Sequence, residues 1–158
     1  MKRCAMCHSR DCRETRETVD VVVPTVSGPF RVLVSGVANL KCGNCGESFL
    51  HGPDLGRAEL LAGAEALVRG LRDSQTLKFV RKALGLRAVE LGELLDVSAE
   101  TVSRWENGHR EAARSVWNAL ADLVADKLAG TTTTLERLRA HDSPRVPKRP
   151  VRLRLARA

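Results

Sequence analysis

A chain of 158 residues with 43% apolar side chains has room for one medium domain or two small ones. Aromatics are only 3% and tyrosine is absent, so any core must be built from Leu, Val and Ala; no apolar run approaches the roughly 18 residues of a membrane span. Of the 26 Lys and Arg behind the net charge of +7, six lie from Arg145 onward without a single acid, so the basicity belongs to a tail and not to the folded part.

Residues 1–53 hold all five cysteines. The opening MKRCAMCHSR has no apolar secretory stretch, so a cytoplasmic protein with reduced thiols is expected. Cys4 and Cys7 form one C-x-x-C pair, and Cys42 and Cys45 form a second after a spacer of 34 residues. Between them TVDVVVP (18–24) and FRVLVSG (30–36) read as two antiparallel strands, joined by turn chemistry at Gly28 and Pro29. A hairpin returns the chain and brings the two pairs together. Four thiolates then suit a tetrahedral, structural Zn²⁺ with no position left for water. Gly43 and Gly46 fit turns that need a positive φ. A thioredoxin-like redox pair would need one C-x-x-C beside a βαβ unit. Substitution in the site by Cys12, His8 or His51 stays open.

Residues 54–73 form a helix or linker, with Asp54 as N-cap and Leu60, Leu61, Ala64, Leu67, Val68 and Leu71 on one face. Residues 74–142 read as a bundle of four to five helices. The first, about 74–84, turns Leu77, Val80 and Leu84 inward and ends at Gly85. The second, about 87–95, turns in Leu91, Leu94 and Leu95. The third runs from Ser98 to Gly108, the fourth over about 111–128, and a short one follows through Leu135 and Leu138. Residues 143–158, with three prolines and six positive charges, predict a disordered basic tail. The fold class is thus mainly α, with a small N-terminal β zinc domain and a C-terminal helix-turn-helix bundle.

The stretch LGLRAVELGELLDVSAETVSRWENG (84–108) is helix, short turn at Asp96–Val97, and a serine-capped helix, which is helix-turn-helix geometry. Such a second helix enters the DNA major groove by its N-terminal residues. Ser98, Glu100, Thr101, Ser103 and Arg104 are the DNA-facing candidates. Val102 and Trp105 face the core. Arg104 suits bidentate hydrogen bonds to guanine O6 and N7, and Thr101 a thymine methyl or a phosphate. Glu100 suits cytosine N4. A generic helical bundle with a solvated Arg104 is the alternative.

VSAETVSRWENG resembles the recognition-helix region of the Xre/Cro-type helix-turn-helix family, over roughly 74–128. The resemblance implies a buried pair of Arg81 with Glu106 and makes Trp105 a core residue. Arg87 stands where the family often has a capping Ser or Thr. Ala88 replaces a backbone-contacting Gln, and Asp96 replaces the turn glycine. Together with the two C-x-x-C pairs, the chain resembles the MqsA-type antitoxins, also described as having a YgiT-type zinc finger. That implies a homodimer through the helical domain, autorepression of a toxin–antitoxin operon on double-stranded operator DNA, and a zinc domain that contacts a ribonuclease toxin. Glu100 stands where that family reads DNA with Asn, so the operator should differ. A stand-alone regulator, or a protein-interaction module without DNA binding, are the alternatives. No Ser/His/Asp or Cys/His arrangement, carboxylate pair or phosphate loop points to an enzyme, and no membrane partner is expected.

Overall fold

The structure is a computed structural model and describes residues 3–140; the basic tail lies outside them. Strands β1 (Cys12–Val23), β2 (Phe30–Cys42) and β3 (Ser48–Leu50) form an antiparallel sheet in the order β1-β2-β3. Six helices follow: α1 (Gly52–Val68), α2 (Ser74–Ala83), α3 (Ala88–Leu94), α4 (Ala99–Glu106), α5 (Arg114–Ala129) and α6 (Thr133–Ala140). The fold is mixed but mainly helical.

The two long strands extend beyond their β-branched runs, because the ribbon continues back to the cysteines through the charged segment CRETRE. Cys12 pairs with Cys42 at one end and Val23 with Phe30 at the other. Between Glu17 and Val19 the register shifts, with Ser35 and Gly36 opposite Thr18 alone. Gly36 sits there at φ 87, a conformation glycine adopts without strain. The third strand, absent from the sequence reading, is a short return after the second cysteine pair. Its Ser48 hydroxyl takes a hydrogen bond from buried Asn39, whose Nδ2 also donates to Glu17 at 2.5 Å.

Helix α1 departs from the expected pattern. His51 is its N-cap, and Pro53 lies in the first turn, where the missing N–H costs nothing. Asp54 does not cap. Its carboxylate accepts from the Ala38 N–H at 3.0 Å and lies 3.1 Å from His51 Nδ1, which ties the helix to β2. The Ala38 N–H, then His51, holds this carboxyl below its ordinary value of 3.8. Its contribution is therefore full above that value and is lost as pH falls through the lower folded one. The helix has two buried sides. Ala58, Ala62 and Ala66 lie on the sheet with Val21, Val23 and Val37. Leu60 and Leu67 join the helical core. Leu61 (41% exposed) and Val68 (82%) point outward instead.

The helical core is built on Leu77, Val80, Leu91, Val102, Trp105, Trp117, Leu120 and Val124. Leu77, Leu91 and Leu120 are essentially inaccessible, and each such side chain is worth about 1.5–3 kcal/mol on burial. Asp73 caps α2 by accepting from Gln75 and Thr76 N–H at 3.0 and 2.9 Å. Its other oxygen accepts from Val26 N–H at 3.1 Å, which links the hairpin turn to the bundle. Arg81 lies across this core. Its Nε and Nη2 donate to the two Glu106 oxygens at 2.5 and 2.9 Å, and its Nη1 donates to the Leu86 carbonyl at 2.7 Å. Both side chains are about nine-tenths buried. Glu106→Ala leaves the guanidinium buried without its anion and should cost about 3–5 kcal/mol by urea unfolding. A loss under about 1 kcal/mol would mean that the pair behaves as a solvated surface bridge.

Candidate metal centre and nucleic-acid interface

The two cysteine pairs are local turns of the same design. In the first, His8 N–H bonds the Cys4 carbonyl at 3.0 Å, with His8 at φ 58. In the second, Gly46 N–H bonds the Cys42 carbonyl at 3.0 Å, with Gly46 at φ 74. His8 thus occupies the left-handed position that glycine fills in its counterpart. Gly43 does not have a positive φ. Its N–H bonds the Asp11 carbonyl at 2.7 Å, and a Cβ there would run into the Asp11 side chain. The smallness of Gly43, not its backbone freedom, is what the turn uses.

The β1–β2 ribbon closes the 34-residue spacer and brings the four sulfurs together. Cys4 Sγ lies 3.6 Å from Cys45 Sγ, and Cys7 Sγ lies 3.6 Å from Cys42 Sγ. All four are within 4.8 Å of one another. A tetrahedron with metal–sulfur bonds of about 2.3 Å has edges of about 3.8 Å, so the set fits a four-thiolate ion. Cys12, His8 and His51 are not in this set. The sulfurs oppose one another's ionisation. The Asn44 amide, then the Ser9 N–H, lowers Cys7 to about 6. The Cys45 N–H foremost lowers Cys42. The Glu47 N–H favours the Cys45 thiolate, but the neighbouring sulfurs and desolvation together push that thiol up to about 12. A cation at the centre removes that opposition and lets all four ionise.

On the other half, α3, the turn and α4 form a compact unit. Gly92 is the residue the sequence reading overlooked. Added to it, a Cβ would sit 2.7 Å from the Val97 carbonyl, so the turn can cross α3 closely only over glycine. Asp96 takes the left-handed turn position at φ 53. Ser98 accepts from Thr101 N–H at 3.1 Å and caps α4. Val102 and Trp105 are buried, whereas Glu100, Ser103 and Arg104 are exposed and Thr101 is half-buried. All of these polar groups have partners already. The Ser98 and Thr101 hydroxyls lie 3.0 Å apart, and Arg104 Nη2 donates to Glu100 at 2.6 Å. Asn107 Nδ2 reaches back to the Ser103 carbonyl and hydroxyl at 2.9 and 3.2 Å. Arg87 and Glu90 secure α3 differently from a serine cap, since the Glu90 carboxylate accepts from Arg87 N–H at 2.7 Å.

A helix-turn-helix family model matches residues 77–123. Those residues form a helix-turn-helix domain of the Xre type. The match runs from within α2 to within α5 and includes Arg81, Gly92, Arg104 and Glu106. No curated protein matches the chain at a significant level. Members of this family are DNA-binding regulators. Among the described residues no helix is long and apolar enough to cross a membrane.

A strong chelator tests the cysteine cluster. Stripped of metal, amides of residues 12–42 should exchange rapidly by mass spectrometry, while those of 114–129 keep their protection. Equal protection in both segments would show that the sheet does not depend on an ion. Lowering the pH should act in the same direction, because protons compete with the metal for thiolate.

Proposed function

We propose that the protein is a cytoplasmic, zinc-stabilised transcriptional repressor that binds operator DNA as a homodimer through its helical domain and serves as the antitoxin of a toxin–antitoxin pair. The observation that carries the DNA-binding part is the exposed outer face of α4, capped at Ser98 and held from behind by Trp105 and the Arg81–Glu106 pair. Rigid backing of this kind is what base readout needs, because a recognition side chain is only as well placed as its helix. Arg104 reads guanine, and Thr101 and Ser98 approach the backbone or a thymine methyl. Glu100 pairs with Arg104 in the free protein. An exposed pair of this type is worth about 1 kcal/mol at most, so DNA can displace it or read both groups together.

Four thiolate donors favour Zn²⁺ as the ion, in a structural role, and leave no coordination position for chemistry. Dimerisation is supported by an apolar groove between α1 and α5, lined by Ala64, Leu67, Val68, Trp117, Ala121 and Leu128. A dimer that binds a palindromic operator has to present two α4 helices to half-sites about 34 Å apart. The toxin partner rests on the resemblance of the paired cysteines and the recognition helix to MqsA-type antitoxins. An interaction module without DNA binding is the second reading. The Glu100–Arg104 pair favours it, since an acid in the first turn of α4 repels phosphate.

Gel-shift titration on the DNA upstream of the gene tests the proposal. Arg104→Ala should lose about 1–3 kcal/mol of affinity and relax specificity at one base pair. Unchanged binding by this variant would rule out the assigned readout, and no binding by the wild type would favour the interaction module. Val68→Glu should convert dimer to monomer in analytical ultracentrifugation while retaining the fold. A dimer that persists places the interface elsewhere.

A further inference from the structure

The fifth cysteine lies outside the four-sulfur set yet directly beside it. Cys12 opens β1, Cys42 closes β2, and the two are opposite each other in register. The Gly43 N–H bonds the Asp11 carbonyl at 2.7 Å, one residue outside the pair on each strand. Cys12 and Cys42 are therefore a non-hydrogen-bonded cross-strand pair, the kind whose Cα atoms approach to about 4.5 Å with both side chains on one face. Their own N–H groups bond elsewhere, to the Arg10 and Glu47 carbonyls at 3.0 and 2.9 Å. A disulfide requires Cα atoms about 4.4–6.8 Å apart, a range that includes the spacing of such a pair. Access is unequal. Cys42 is 1% exposed, whereas Cys12 is half-buried and within reach of a small solute.

We propose that Cys12 and Cys42 are a disulfide-forming pair through which a hydroperoxide opens the metal centre. The inference rests on the reading that Cys42 is one of four zinc ligands. In the first step the Cys12 sulfur is oxidised by ROOH, giving Cys12–SOH and ROH. In the second, the Cys42 thiolate attacks the Cys12 sulfur. The S–S bond forms, the S–O bond breaks, and the departing hydroxide takes up a proton as water. Two cysteines are oxidised by two electrons and one hydroperoxide is reduced. The ion is left with three thiolates and an open position, which binds it far less well than a closed site. Cys12 is suited to this role because it is the one cysteine not committed to the ion.

The test uses the full chain purified with zinc, whose content is measured first. Less than one zinc per chain refutes the metal reading and leaves the disulfide question to mapping alone. The protein is then treated with hydrogen peroxide, with zinc release followed by a chromophoric chelator and disulfides mapped by non-reducing peptide mass spectrometry. The expected first product is Cys12–Cys42, formed in step with zinc release. Cys12→Ser should bind zinc normally and release it several-fold more slowly. Three results would overturn the proposal: disulfides confined to Cys4, Cys7, Cys42 and Cys45, wild-type release by Cys12→Ser, or a Cys12→Ser protein that never holds zinc, which would make Cys12 a ligand.

Discussion

Helix α1 joins the two halves of this molecule, and the size of its side chains makes that possible. Alanines at 58, 62 and 66 let it lie close on the sheet, where Val21, Val23 and Val37 meet it. Leucines at 60 and 67 reach the other way into the helical core. Gly63 faces α2 across this contact, where an added Cβ would meet Val80 at 3.4 Å, an ordinary van der Waals distance. The sheet core has few members, and a core so small holds little free energy of its own. The packing of α1 on the sheet adds to it.

This arrangement separates two tasks physically. The sulfurs sit at the open end of the ribbon, where they fix the strand ends and the return into β3 and α1. The placement of α4 depends on a different set of contacts: the Arg81–Glu106 pair, the close crossing at Gly92 and the cap at Ser98. The connections between them include α1, Phe79 of α2, which packs against both cores, and the bond from Val26 N–H to Asp73. The sheet thus meets α2 directly, through Phe79 and the Asp73 cap, and through α1.

Much of this was legible in the chain. The two C-x-x-C pairs fixed which sulfurs would meet, because metal turns are local and a hairpin is the shortest way to join them. The serine before AETVSRW marked the start of α4, because a capping hydroxyl and its N–H partner lie within three residues. The inward faces of the bundle helices followed from a 3.6-residue period. Other features were not legible. The segment CRETRE carries no hydrophobic alternation, so its strand character comes only from pairing with β2. Asp54 reads as a cap by sequence proximity, but its partner is Ala38, sixteen residues earlier. Leu61 and Val68 share a helical stripe with buried leucines, yet a helix packed on two sides turns the edge of that stripe to solvent.

The sequence by itself determined the donor chemistry, four thiols in two turns, and the helix-turn-helix pattern, because both are set by spacings of a few residues. Only the tertiary structure decided the rest. It placed Cys12 opposite Cys42 and left it outside the four-sulfur set, since cross-strand register depends on a bulge at Gly36 that no local pattern announces. It also made Gly92 indispensable, since the atom that excludes a side chain there belongs to the next turn. Arg104 was paired with Glu100 by helix geometry that the sequence allowed but did not require.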